Sequence, residues 1–201
     1  MNKLDKIFSQ SENVGAFATG YLSYLKQVLA GFNIEEISAF VEILEEVRAR
    51  DAQIFFMGNG GSAATASHFA NDLAIGTHSF KKPFRAISLT DNQAIVTAIS
   101  NDNGYENIFV MQLQALMKKE DAVVAISASG NSMNLVKAID YAKKLKDCHF
   151  LITSRINDNF KILDKCTKLN RFILIEKPVF LNSKQFNKIK FNKKIFVGYN
   201  R

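Results

Sequence analysis

Phe55-Phe56-Met57-Gly58-Asn59-Gly60-Gly61-Ser62-Ala63-Ala64-Thr65-Ala66-Ser67-His68-Phe69-Ala70-Asn71-Asp72 joins an apolar run, a glycine turn and an alanine-rich segment in eighteen residues. Ile54 to Met57 is an apolar run of the kind that forms a buried strand. Gly58, Gly60 and Gly61 then give a tight turn whose backbone a ligand can approach closely. Ser62 stands where a helix cap is expected, and the alanine-rich segment behind it is a good helix former. Strand, glycine turn and helix start together aim backbone N–H groups and the positive end of a helix dipole at one point. That arrangement suits an anion, most naturally a phosphate. His68 and Asp72 follow at i and i+4, on one helix face and close enough to share a ligand, a metal or a proton. A plain glycine turn followed by a solvated His and Asp would carry the same letters, so the rest of the chain has to decide.

The 201 residues suffice for one domain with a real core, and 47% hydrophobic with 22% charged residues are globular values rather than those of a disordered chain. No apolar run approaches the ~20 residues that span a bilayer, and no basic-then-apolar leader opens the sequence. Cys148 and Cys166 have neither metal nor redox spacing, so a soluble protein of the reducing cytoplasm is expected. The net charge of +7 is unevenly spread: residues 143–201 hold 15 of the 26 Lys and Arg but 4 of the 19 Asp and Glu, a balance of +11. The first 142 residues therefore carry 11 basic and 15 acidic groups, or −4. Such a split marks either a nucleic-acid-binding tail or a join between pieces of different origin.

Ahead of the glycine turn, apolar residues recur at helical intervals from Val14 to Leu29 and from Ile34 to Val47, with Asn33 as a candidate cap for the second helix. Their apolar faces are expected to pack on the sheet or on a second copy of the chain. After the central helix, Phe84 to Leu89 reads as a strand, Asn92 to Ile99 as a short helix, and Asn101-Asp102-Asn103-Gly104-Tyr105 as a turn. Ile108 to Met117 is helical, and Ala122 to Ile126 is a third strand, apolar throughout like those buried on both faces of a parallel sheet. Ser127-Ala128-Ser129-Gly130-Asn131-Ser132 comes off its end, and Met133 to Leu145 returns as a helix. Ligands of open parallel sheets bind outside the carboxyl ends of the strands. Two such loops can therefore converge on one ligand, and three serine hydroxyls with backbone N–H groups can hold a phosphate dianion without Lys or Arg.

Gly58-Asn59-Gly60-Gly61-Ser62, His68-Phe69-Ala70, Asn101 to Asn107 and Ser127 to Ser132, in that order and spacing, resemble the sugar isomerase (SIS) domain, and within it the phosphoheptose isomerases. The resemblance covers about residues 1–145 and implies an α/β fold: a three-layer, doubly wound, Rossmann-like parallel sheet preceded by helices. It implies that Asn59, Gly60 and Gly61, with Ser62 beside them, and Asn101 and Asp102 contact a sugar, and that Ser127, Ala128, Ser129 and Ser132 hold its phosphate. It further implies conversion of sedoheptulose 7-phosphate to D-glycero-D-manno-heptose 7-phosphate by a homo-oligomer, a dimer or tetramer joined through the N-terminal helices. His68 and Asp72 fall on the family's zinc ligands, the second also serving as acid/base, although the family usually has Glu where Asp72 stands.

After Leu145 the family's closing helix, with a Gln and a His that complete the metal and acid/base set, has no counterpart, so a zinc site would have an incomplete ligand set. Residues 146–201 instead resemble the end of a Gfo/Idh/MocA oxidoreductase nucleotide-binding domain: Phe150 to Ser154, Phe172 to Pro178 and Phe196 to Arg201, with Lys177 at that family's nicotinamide position. The G-x-G-x-x-G fingerprint is absent, and NAD is not expected. Strands are expected at Cys148–Thr153 and Phe172–Ile175 with a helix at Asn157–Leu169 between them, extending the sheet. For Ser183 to Arg201 the sequence does not decide between packing and a free tail. Two functions compete: a sugar-phosphate isomerase whose turnover suffers from the missing helix, and a non-catalytic sugar-phosphate binding module. A nucleic-acid role is the weakest, because the tail's lysines are scattered over apparent strands and a helix without a stacking platform.

Overall fold

The computed structural model describes residues 3–32, 34–127 and 130–145, together with the backbone of three strands at 150–153, 173–176 and 195–198. Two compact units form, one ending at Ile34 and the other running from Glu35 onward. The first is a helix pair, α1 (Lys3–Ser9) and α2 (Val14–Ala30). The short α1 carries too few turns to stand out in the sequence. Asn13 caps α2 by accepting the N–H of Ala16 at 2.9 Å. The two helices cross closely at Gly20, where an added Cβ would lie 2.7 Å from Ile7 Cγ2. Phe8 meets Phe17 edge-on at 5.5 Å, and Lys3 Nζ lies 4.8 Å over the Tyr24 ring. Val14, Leu22 and Leu29 of α2 stay exposed.

The second unit begins with α3 (Ile34–Ala49); its proposed cap, Asn33, lies outside the described residues. Then come β1 (Gln53–Gly58), α4 (Gly61–Asn71), a π-helical turn (Asp72–Gly76), β2 (Arg85–Ser88), α5 (Gln93–Asn103), a 3-10 turn (Tyr105–Asn107), α6 (Val110–Leu116), β3 (Ala122–Ile126) and α7 (Met133–Ala142). Strands β4 (Phe150–Thr153), β5 (Ile173–Glu176) and β6 (Ile195–Gly198) complete a six-stranded sheet of order β2-β1-β3-β4-β5-β6. Every pairing is parallel. The expected helix at 157–169, with Cys148, His149, Cys166 and Lys177, lies outside the described residues.

Burial on both faces explains the unbroken apolar strands. Along β1, Ile54 and Phe56 point into one core with Leu44 and Val47 of α3 and Ala66 and Ala70 of α4. Phe55 and Met57 point into the other core, with Leu113 of α6 and Leu135, Ala138 and Ile139 of α7. β3 alternates in step, Ala122 and Val124 facing the first core, Val123 and Ala125 the second. A doubly wound, three-layer α/β sheet results.

Two local expectations are corrected. Asn101 to Asn103 do not form a turn but the last residues of α5, which Asn92 caps through the Ile95 N–H at 3.1 Å. The chain leaves the helix only at Gly104, whose φ of 90° suits a glycine. Likewise α7 stops at Ala142, short of the expected Leu145.

Candidate functional site

β1 pairs with β2 on one side and with β3 on the other, so the strand order reverses between β1 and β3, which is where open α/β sheets hold ligands. Register makes this concrete. Gly58 is the partner of Ile126, so the loops leaving β1 and β3 start side by side.

The β1–α4 loop is shaped by its glycines. A Cβ on Gly58 would lie 2.5 Å from Ser62 O, so the first turn of α4 sits directly against the end of the strand. Gly60 has φ 55° and ψ −123°, a conformation open essentially to glycine alone. Gly60 is the N-cap of α4 and no side chain caps the helix, so Ser62 is its second residue rather than its cap. The Ser62 N–H turns back to Asn59 O at 3.0 Å. Above Gly60 and Gly61 a Cβ would meet nothing within 4 Å, leaving open space over the turn.

Asn59 is held on two sides. Its Oδ1 accepts from Asn134 Nδ2 at 2.8 Å and from the Tyr105 hydroxyl at 3.0 Å, while its Nδ2 donates to Asn134 Oδ1 at 3.0 Å. Asn101 and Asp102 lie in the last turn of α5, joined by an Nδ2–Oδ1 bond of 2.7 Å, shortly before Tyr105. In the second loop, Ser127 is buried and its Oγ accepts the Gly130 N–H at 3.0 Å, folding the loop at a glycine of φ 67°. Ser132 takes the N-cap position of α7. Ala128 and Ser129 lie outside the described residues.

His68 and Asp72 do meet: Nε2 is 3.2 Å from Oδ2, with the side chains 76% and 56% exposed. Asp72 is where the helix widens, since the Thr77 N–H reaches Asp72 O at 2.9 Å and closes a π turn. Such bulges are frequent at functional sites. Seven residues of helix separate Gly61 from His68, about 10 Å along the axis. Catalytic zinc takes three protein ligands. Among the described residues no three of His, Cys, Asp and Glu converge, and His68 and Asp72 supply two donors, so these residues do not fit such a centre.

Three contributors escape a reading of the sequence: Asn134, Tyr105 and Lys137. Lys137 Nζ donates to Asn107 Oδ1 at 3.0 Å and stands 3.6 Å from Glu106 Oε1. A hydrogen bond from its own backbone, and then the Lys137 charge, hold the Glu106 carboxyl below the ordinary glutamate value. Only the i, i+3 spacing of Asn134 and Lys137 on α7 hints that they act together. Among the described residues there is also a cavity of about 480 Å³ at the opposite end of the sheet, lined by Arg50, Arg85, Lys118 and Asp121 among others. Asp121 there is satisfied by the backbone N–H groups of Gln53 and Lys118.

Fold and site together define a SIS domain: that family's sequence pattern matches residues 17–148, and the chain belongs to the family. Relatives within it include phosphoheptose isomerases. The chain is 39% identical over 132 residues to a probable phosphoheptose isomerase of Thermoplasma acidophilum, a match covering 66% of this chain and 72% of that protein. It is 43% identical over 111 residues to the phosphoheptose isomerase of Helicobacter pylori, covering 55% of this chain and 58% of the relative. Among solved structures, phosphoheptose isomerase from Neisseria gonorrhoeae shares the fold, with a TM-score of 0.63 at 24% identity over 94% of this chain and 85% of that one. No helix among the described residues is long and apolar enough to cross a membrane.

Proposed function

We propose that the chain is a ketose–aldose isomerase of the phosphoheptose type, taking sedoheptulose 7-phosphate to D-glycero-D-manno-heptose 7-phosphate. The observation that carries this is the β1–β3 register, which sets a glycine turn and a serine loop side by side at the reversal of strand order. The loop of Ser127, Ala128, Ser129 and Ser132 would take the phosphate, and Asn59, Gly60, Gly61 and Ser62, with Asn101 and Asp102, the sugar. Asp72, oriented by His68, is assigned the proton transfer. Its carboxylate takes a proton from C1 of the ketose, leaving an enediolate, and returns one to C2 while a proton passes from the C1 oxygen to the C2 oxygen.

Phosphate grip is felt equally in ground and transition states, so it lowers KM without raising kcat. Rate must come from placed acids and bases. We divide the chain into a SIS body over residues 1–145 and a basic segment over 146–201, in whose sequence the family's closing Gln and His have no match. Turnover is then slowed by ~10²–10⁴-fold for the missing partner. At the limit of that loss the chain is a sugar-phosphate binding module. The same reading makes it a cytoplasmic homo-oligomer, which the exposed apolar positions Ile34, Ile37 and Val41 on one face of α3 support. It needs neither NAD nor nucleic acid. A zinc ion at His68 and Asp72 would need a third donor beyond the described residues.

The test is to mix the purified protein with sedoheptulose 7-phosphate and follow aldose formation, with and without added zinc. Slow turnover with retained binding is expected. A kcat in the ordinary range of ~1–10³ s⁻¹ would overturn the impairment and make His149 the first residue to mutate. Absence of phosphosugar binding would overturn the reading as a whole.

A further inference from the structure

Asn134 is the second residue of α7 and only 2% exposed. Its carboxamide forms a two-way pair with that of Asn59, 75 residues away: it donates at 2.8 Å and accepts at 3.0 Å. The same Asn134 Oδ1 accepts the Leu135 N–H at 2.9 Å, which fixes the orientation of the pair on the helix. Tyr105 then gives Asn59 Oδ1 its second donor. A carboxamide has two acceptor lone pairs and two N–H donors. Both lone pairs of Asn59 and one of its hydrogens are thus committed, and one N–H remains to be presented in a fixed direction. One turn further along α7, Lys137 holds Asn107 and Glu106, so the helix also grips the 3-10 turn that carries Tyr105. The element that begins at the serine loop therefore clamps Asn59 twice, directly and through Tyr105.

We propose that Asn134 is a positioning residue for the sugar end of the site, fixing the Asn59 carboxamide from the helix that borders the phosphate loop, with Tyr105 as the second clamp. The proposal rests on the sugar-phosphate reading above. It separates two ligands that share a phosphate: one that reaches Asn59 should feel the clamp, and one that stops at the serine loop should not.

The experiment compares wild type, Asn134→Ala, Tyr105→Phe and the double variant by calorimetric titration with sedoheptulose 7-phosphate and, separately, inorganic phosphate, each protein checked for cooperative melting. Asn134→Ala should weaken phosphosugar binding roughly five- to tenfold, as for one or two ordinary hydrogen bonds, and change phosphate binding by less than about twofold. Tyr105→Phe, which keeps the exposed ring and loses only the hydroxyl, should weaken the phosphosugar roughly two- to threefold, and by less than that in the Asn134→Ala background, because both act on one carboxamide. Equal losses for both ligands would show that Asn134 merely shapes α7 and would overturn the proposal, as would unchanged affinity in both single variants. Should Asn134→Ala fail to melt cooperatively, Tyr105→Phe decides by the same comparison. Wild-type protein that binds neither ligand overturns the sugar-phosphate reading, and this proposal with it, before any variant is compared.

Discussion

Gly58→Ala and Gly61→Ala, three positions apart in one turn, should move stability in opposite directions. At Gly58 the new methyl group would lie 2.5 Å from Ser62 O, 2.6 Å from Ser62 C and 2.9 Å from Ser62 Cβ. Carbon contacts are optimal near 3.5–4.0 Å, so the first turn of α4 must retreat by roughly 1 Å. Two of the three atoms are helix backbone, and no rotamer change relieves the clash. Overpacking costs about 1–3 kcal/mol in general, and a backbone obstacle places this case near 3 kcal/mol. For a chain of this size that is a loss of roughly 6–12 °C in Tm. At Gly61 the methyl group meets nothing within 4 Å, and no positive φ opposes it. Replacing such a glycine stabilises by about 0.4–1 kcal/mol, mainly by restricting the unfolded chain, which raises Tm by roughly 1–4 °C. The same methyl group occupies the open space over the turn, so the more stable variant should bind phosphosugar less well. Differential scanning calorimetry and a binding titration on the two proteins test this. A Gly58→Ala protein melting within about 2 °C of wild type, well short of the expected drop, or a Gly61→Ala protein with undiminished affinity, would refute the close-packed, open-topped turn.

Ser132→Ala should weaken phosphosugar binding by about 1.5 kcal/mol, or roughly tenfold in Kd, as expected for a hydrogen bond to a charged group; an unchanged Kd would remove the serine loop from the site. Chelator-washed protein titrated with zinc should bind it weakly, because His68 and Asp72 supply two donors where catalytic sites use three. Stoichiometric, tight zinc would reveal a third ligand outside the described residues. Glu106 predicts a pH dependence: its pKa is lowered from 4.5, so its stabilisation is present above that pH and is lost as pH falls through the lowered value. Lys137→Met removes one cause of the lowering, so the Tm gap to wild type should be steady near neutrality and shrink below about pH 4.5. A gap independent of pH would mean that the Lys137 charge does not act on Glu106.

How legible this protein is in its letters depends on the range of the interaction. β3 can be read to the residue, because Ala122 to Ile126 is uniformly apolar and double-sided burial in a parallel sheet demands just that. The glycine turn is legible because glycine spacing and a following helix are local features. Ser62 misleads because serine is a common cap, whereas the actual entry conformation, φ 55° at Gly60, belongs to a residue without a side chain. Asn101 to Asn103 mislead because three turn-favouring residues in succession still continue a helix whose earlier residues Val96 and Ile99 pack on the core. The π turn at Asp72 is made by backbone bonding, the Thr77 N–H reaching Asp72 O among it, and leaves no pattern of residue types. Asn134 is hidden for a different reason: its partner is 75 positions away, and only the pairing of β1 with β3 brings the two together.

That pairing also governs how the newly made chain must fold. Ile54 of β1 has to wait for Ala122, 68 residues later, before its second edge is hydrogen-bonded. At ~5–20 residues per second, synthesis leaves that edge open for roughly 3–14 s. β2 arrives sooner and can cover the first edge, with α4 lying across one face. The other face, Phe55 and Met57, gains partial cover from Val96 and Ile99 of α5 and is closed only when α6 and α7 emerge. An apolar segment with an unpaired edge is a template for pairing with other chains. During translation β1, an inner strand of the finished sheet, is therefore the segment most exposed to aggregation, and it is the one a chaperone would need to shield.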